Sequence, residues 1–205
     1  MGEWDSEYLF PGSVLKLDDG SYRMYYSGGT DFSGSKYQYL GMANSTDGKN
    51  WRKYNDPATK KHPFAESDPV LITGNQGDWD SQQVWTPCVL RNSNGYEMYY
   101  AGVSSRNNVR IMAAGYATSH NGIAWEKFPG NPVFETEYDL SKRNDIVEIT
   151  FEGPSLIFLD SICFMYYDYA IIGNVGGKIG LAKAVVNHVL DSPSPFELRV
   201  RQVGN

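Results

Sequence analysis

The sequence predicts an all-β fold built from repeated four-stranded antiparallel units. Three observations carry this. One unit is written three times, the composition favours strands and turns, and short apolar runs are cut by turn dipeptides. The clearest copy runs from Asp78-Trp79-Asp80-Ser81 through Trp85-Thr86-Pro87-Cys88-Val89-Leu90 and Met98-Tyr99-Tyr100 to Gly115-Tyr116-Ala117 and Asn121-Gly122, ending at Trp125. The first copy has Trp4-Asp5-Ser6, Val14-Leu15, Met24-Tyr25-Tyr26, Gly41-Met42-Ala43, Asp47-Gly48 and Trp51. The interval from Trp51 to Trp125 equals that from Tyr25 to Tyr99. The third copy keeps Glu152-Gly153-Pro154-Ser155-Leu156, Met165-Tyr166-Tyr167 and Gly180-Leu181-Ala182. Anchors that hold their order and spacing identify a repeat architecture.

Composition agrees. Aromatics make up 14% of the 205 residues, with 15 Tyr, 5 Trp and 21 Gly. Aromatic residues favour the pleated surface of strands, and glycine favours turns. No window shows sustained helical periodicity with caps. No apolar run is long enough to span a bilayer, and no signal peptide is visible. A cytoplasmic location would follow if the chain were complete. The net charge of −6 and the lack of a Lys/Arg-rich run argue against nucleic acid and anionic membranes as partners. Cys88 and Cys163, the two cysteines, lie in apolar strand patterns and read as buried free thiols.

Each element can be placed in turn. In the first copy, strands are expected at Val14 to Leu17, Tyr22 to Ser27, Tyr39 to Asn44 and Trp51 to Tyr54. Asp18-Asp19-Gly20 and Ser93-Asn94-Gly95 are equivalent turns. Asp47-Gly48 and Asn121-Gly122 are hairpin signals, because tight turns need residues that tolerate positive φ. The second strand is apolar on both faces, as a strand sandwiched between neighbouring sheets must be. Residues 55–67, with Lys60, Lys61 and His62, read as solvated surface. Repeats fall at about 3–67, 68–135 and 136–205 of a single domain.

Four-stranded units with aromatic and glycine anchors are the pattern of β-propeller blades. The order Trp-Asp, Pro-x-Val-Leu, Tyr-x-Met-Tyr-Tyr-x-Gly, Gly-Tyr-Ala-Thr-Ser and Asn-Gly-x-x-Trp resembles the five-bladed propeller glycosidases of families 43, 32, 68 and 130. The resemblance runs along nearly the whole chain and is strongest from Trp79 to Phe134. It implies a carbohydrate-active protein without a cofactor. With about three blades, the chain is incomplete beside a five-bladed relative.

Glycoside hydrolysis needs two carboxyl groups flanking the bond. In family 43 the general acid is a Glu in a Glu-x-Pro motif of the third blade, which Glu152-Gly153-Pro154 matches. Repeat alignment sets Glu152 where Trp85 and Phe10 stand, and packing does not explain a carboxylate there. Family 43 also has Trp-Ala-Pro-Asp in blade two and Asp-Pro-Ser in blade one. Here those places read Trp85-Thr86-Pro87-Cys88 and Phe10-Pro11-Gly12-Ser13, so both acids are missing. Asp145 and Glu148 break the repeat and are the candidates for a second carboxyl. Asp5 and Asp80 recur, which points to a structural role, although Asp80 is also a candidate ligand contact at the mouth. Trp85 and Phe151 are candidates for stacking on a sugar ring. Asp31 and Asp168 read as solvated or capping residues.

His62, His120 and His188 lie far apart in the repeat frame, and no metal-ligand spacing is present. Arg106, Arg110 and Arg143 are the basic residues a phosphorylase variant would need. The rival class is a non-catalytic glycan-binding propeller, or a degenerate homologue. Three blades leave two apolar faces open, so self-association through those faces is expected.

Overall fold

The computed structural model describes residues 2–30, 38–106, 109–135, 148–149, 151–159, 162–172, 175–185 and 199–200. All regular structure among them is β. Repeat 1 forms β1 (Tyr8–Lys16), β2 (Tyr22–Gly29), β3 (Gln38–Ser45) and β4 (Arg52–Lys53), each antiparallel to the next. β5 (Pro69–Leu71) adds to β3. Repeat 2 forms β6 (Gln83–Asn92), β7 (Gly95–Arg106), β8 (Val109–Ser119) and β9 (Glu126–Lys127) in the same order, with β10 (Phe134–Glu135) also on β8. β11 (Glu148–Ile149) precedes repeat 3, which forms β12 (Glu152–Leu159), β13 (Ile162–Ile172), β14 (Val175–Val185) and β15 (Arg199–Val200).

These meanders follow the predicted strand order, but they are not three separate sheets. β11 runs parallel to β8 and antiparallel to β13. It thereby joins repeats 2 and 3 into one ten-stranded sheet, while repeat 1 and β5 form a five-stranded one. The joint is possible because β7, β8, β13 and β14 are 11 or 12 residues long, against eight for β2 and β3. The longer hairpins reach past the ends of their inner strands and present a free edge to β11.

The core lies between successive repeats. Tyr25, Leu40 and Met42 of repeat 1 pack against Val84, Val89, Met98 and Tyr100 of repeat 2. Ala101, Val103, Met112 and Ala114 pack in turn against Phe151, Met165 and Tyr167 of repeat 3. The strands of repeat 2 therefore bury both faces, which accounts for their unbroken apolar runs.

The recurring Gly has a steric cause. Gly41, Gly115 and Gly180 stand directly opposite Tyr26, Tyr100 and Tyr167 in the ladders. Each tyrosine ring lies across its glycine, and a Cβ there would collide with the ring.

The recurring Asp anchors the same ring. Asp5 Oδ2 accepts from Tyr26 Oη at 2.8 Å and lies 2.9 Å from Lys53 Nζ. Asp80 Oδ2 accepts from Tyr100 Oη at 3.2 Å and from Lys127 Nζ at 2.6 Å. The entry segment, second strand and fourth strand of repeats 1 and 2 are thus each tied at one buried carboxylate. Burial, and then the adjacent carboxylate, holds both phenols well above their ordinary pKa, so each remains a donor.

The hairpin signals act as expected. The Asp47 carboxylate accepts from the Lys49 and Asn50 amides, and the Asn121 side-chain carbonyl from those of Ile123 and Ala124. Gly48 and Gly122 take positive φ. Trp125 meets Tyr25 of repeat 1 edge-on at 5.7 Å, and Trp51 packs beside Trp4 and Tyr26. Both cysteines are free; Cys163 is buried and Cys88 half-buried.

Three expectations need correction. Residues 55–67 are not simply solvated surface. Trp4 donates its indole N–H to the Ser67 carbonyl and its amide to that of Pro63, and His62 lies 2.6 Å from Glu3. This loop folds back over the outer half of repeat 1, where Trp4 and Tyr26 are buried. The face expected to be open is therefore exposed only along its inner edge, at Leu9 and Val14. The opposite end of the arc is open: Ile157, Leu159, Tyr166 and Ile179 of repeat 3 are all exposed. Tyr166 stands where Tyr25 and Tyr99 are buried, so it too departs from the packing role expected of the tyrosine pairs.

Candidate functional site

The three inner strands, β1, β6 and β12, share one irregularity. Each carries a bulge near its start: Pro11 to Val14, Trp85 to Cys88 and Glu152 to Ser155. The residue at the head of the bulge in repeats 2 and 3, and the residue just before it in repeat 1, is paired to an equivalent position on the second strand. Phe10 pairs with Ser27, Trp85 with Ala101, and Glu152 with Asp168. The three residues are therefore equivalent in three dimensions, as the repeat alignment required. Bulges re-aim side chains and gather at functional edges of sheets.

Backbone strain marks the same place. Thr86, directly after Trp85, has φ of 45°, in the left-handed region that residues with a branched Cβ avoid. Its amide donates to Ser27 Oγ of repeat 1 at 2.8 Å. Gly153 occupies the equivalent position with φ of 58°.

Below the bulges the inner strands clasp one another. Ser13 Oγ donates to the Pro87 carbonyl at 3.0 Å and accepts from the Val89 amide at 2.6 Å. The Cys88 thiol sits against Ser13 and the Leu156 backbone, so β1, β6 and β12 converge on it. Burial pushes this thiol above its ordinary pKa and Cys163 up to about 12. Both stay neutral at neutral pH and offer no thiolate for nucleophilic chemistry.

Above the clasp lies an aromatic group drawn from two repeats. Tyr8 stacks on Trp85 at 5.5 Å with 9° between planes. Phe10 lies 5.8 Å from Trp85, tilted by 43°. The Trp85 indole donates to Gln83 Oε1 at 2.7 Å, and the Arg110 guanidinium bonds the same oxygen. Arg110 is paired in the ladder with Glu148, which β11 sets between β8 and β13.

The candidate residues divide clearly. Trp85 and Glu152 occupy equivalent bulge positions, and Glu148 stands on the bridging strand at the same end. Asp80 is 2% exposed and fully engaged with Tyr100 and Lys127, leaving it no face toward a ligand. Phe151 is 0% exposed, packed on Phe134 and Tyr167, and offers no stacking face. Asp145 lies outside the described residues, as do Arg143, Asp31 and His188. Asp168 is exposed, at the ladder position opposite Glu152. His120 lies in its hairpin turn beside the Asn94 carbonyl. Among the described residues no group of three His, Cys, Asp or Glu could hold a metal ion.

Sequence reasoning does not single out Tyr8 or Gln83. A signal for Gln83 is nonetheless present: residues two apart on a strand share a face, so a polar residue at that distance from Trp85 is a ready partner for its N–H.

No protein-family model matches the sequence, and no curated protein matches it significantly. Solved structures do. The chain is similar to BT0996, solved as a complex with RGII, with a TM-score of 0.68, 18% identity and 89% of this chain covered. It is similar to Zg3597, a family 117 glycoside hydrolase of the marine bacterium Zobellia galactanivorans, with a TM-score of 0.61, 18% identity and 97% covered. A thermostable family-43 glycoside hydrolase gives a TM-score of 0.60, 16% identity and 98% covered. The fold is thus the one found in propeller glycosidases. This chain spans 54%, 59% and 60% of those three proteins.

Proposed function

We propose that this chain is a carbohydrate-active unit of the propeller glycosidase type, with its site at the bulged ends of β1, β6 and β12. Glu152 is its general acid. The observation that carries the proposal is the equivalence of Glu152 with Phe10 and Trp85: one scaffold position holds aromatic rings in two repeats and a carboxyl group in the third, within a fold shared with glycoside hydrolases. Glu152 donates its proton to the glycosidic oxygen as the bond to the anomeric carbon breaks. A second carboxylate then attacks that carbon or activates water upon it. Glu148 and Asp145 are the proposed sources, with Glu148 placed by β11 at the same end of the sheet. Trp85 stacks on a sugar ring. Phe151 supports the Glu152 strand from within the core, and Asp80 braces repeat 2.

The test is sugar release from RGII oligosaccharides by the chain and its Glu152→Gln variant. Turnover should fall by roughly 10² to 10⁴ with the size of the side chain kept. Unchanged turnover would remove Glu152 from the mechanism.

A second reading, glycan binding without turnover, has its own support. Phe10 and Cys88 stand where the resemblance to family 43 calls for two acids, one replaced by a phenyl ring and the other by a neutral thiol. Calorimetric binding by the unaltered chain with no sugar released would favour it.

A further inference from the structure

We propose that Thr86 is a ligand-binding residue of the carbohydrate site, its side chain hydrogen-bonding a sugar hydroxyl at the bulge of β6. The proposal rests on the carbohydrate reading above. Two observations at this one residue carry it. Thr86 has φ of 45°, and among the described residues every other positive φ belongs to glycine. Its Oγ1 is closed off from solvent and has no hydrogen-bond partner among the described residues.

Each of these costs stability. A branched side chain crowds its own backbone in the left-handed region. A buried hydroxyl without a partner forfeits the hydrogen bonds that water would give it. Glycine would remove both penalties, as repeat 3 shows. Gly153 follows Glu152 as Thr86 follows Trp85, with φ of 58°. A Cβ there would meet only Asp168 Oδ1, at 3.9 Å, so the turn leaves room for a side chain without requiring one. Nor does every repeat need the turn. Pro11 follows Phe10 in repeat 1, and its ring confines φ to negative values.

The seam holds Thr86 in place. Its amide, set out of the ladder by the bulge, donates to Ser27 Oγ of repeat 1 at 2.8 Å, and Ser27 is 1% exposed. The amide is thus satisfied while the hydroxyl is not. Thr86 as a whole is half-buried, so part of the residue reaches the surface at the bulge. One step between staggered χ1 wells turns the hydroxyl outward. A sugar hydroxyl both donates and accepts, and a threonine hydroxyl matches it in either sense. Bound sugar supplies the partner that the fold withholds, so binding removes a penalty that the free chain carries.

Three variants of the full chain test this, first without ligand. Thr86→Gly should raise the melting temperature by about 2–4 °C. Thr86→Val keeps the branched shape, deletes the hydroxyl and should not lower it. A fall in either variant means that the side chain serves the fold, and overturns the proposal. The second measurement is calorimetric affinity for RGII oligosaccharides. Thr86→Gly and Thr86→Val should each weaken binding roughly two- to tenfold, the range of one neutral hydrogen bond. Thr86→Ser, which keeps the hydroxyl, should bind as the unaltered chain does. A loss in Thr86→Ser equal to that in Thr86→Val assigns the effect to shape and overturns the hydroxyl's role. Unchanged affinity in Thr86→Val overturns it too, and leaves the carbohydrate reading standing. An unaltered chain that binds no RGII oligosaccharide overturns this proposal and that reading together.

Discussion

Repeats 2 and 3 place different chemistry on one scaffold. In repeat 2 the bulge position is Trp85, opposite Ala101, and the second-strand tyrosine Tyr99 is 1% exposed. In repeat 3 the same positions are Glu152 opposite Asp168, and Tyr166 is 41% exposed. Like charges at facing ladder positions are unfavourable, so a pair of acidic residues is a poor structural choice. The residues that recur, Trp79 with Asp80, Tyr100 with Gly115 and Met98, hold the sheets together. The residues that depart from the repeat gather at the mouth, and Tyr166, which recurs in sequence, departs from it only in being exposed on the open face. Recurrence marks the scaffold, and departure marks what the scaffold carries.

The strongest way to break this division is at Asp80. Asp80→Ala should cost about 3–5 kcal/mol, because it leaves Lys127 and the Tyr100 hydroxyl without their buried partner. Asp168→Asn, at an exposed departing position, should stay within about 0.5 kcal/mol. Urea denaturation of both variants measures the contrast. A near-neutral Asp80→Ala would make that carboxylate a ligand contact again.

Trp125 tests the recurring hairpin next. It is half-buried and meets Tyr25 of repeat 1 edge-on. Trp125→Ala should destabilise by about 3 kcal/mol, at the low end for a large aromatic because the ring is not fully enclosed. Glycan affinity should be unchanged. An unaltered melting temperature with lost binding would reverse the assignment of scaffold and site at this position.

Much of this is legible in the sequence because repeats supply an internal comparison. Met-Tyr-Tyr and Gly-x-Ala set the strand order, and the Phe10, Trp85 and Glu152 alignment reappears as three equivalent ladder positions at or beside a bulge. What escapes is non-local. Nothing in Lys60-Lys61-His62-Pro63 says that the loop turns back to receive the Trp4 indole. A two-residue strand such as β11 has no periodicity to read, yet it merges two repeats into one sheet. Phe151 sits next to Glu152 in sequence, but adjacent residues of an extended chain point to opposite sides, so neighbours in sequence need not share a site. Asp80 admits both readings from sequence, because its partners Tyr100 and Lys127 lie 20 and 47 positions away.

The smallest expected change in stability concerns the open face. Tyr166 projects beside Ile157, Leu159 and Ile179, all exposed, on the side of repeat 3 equivalent to the faces that repeats 1 and 2 bury against their neighbours. An apolar face of this kind drives association when nothing covers it. We expect the chain to self-associate at micromolar concentration through this one face, since the other end of the arc is half covered by residues 55–67. Tyr166→Glu should shift the mass seen by light scattering toward the monomer. It should change the stability of the dilute monomer by no more than about 0.5 kcal/mol, because the side chain has little to lose in the monomer. The buried counterpart Tyr99 has no such tolerance: Tyr99→Glu sets a charge inside the core between repeats 2 and 3. A monomer at every concentration, in the unaltered chain and in Tyr166→Glu alike, would show that Tyr166 departs from the repeat without making an interface.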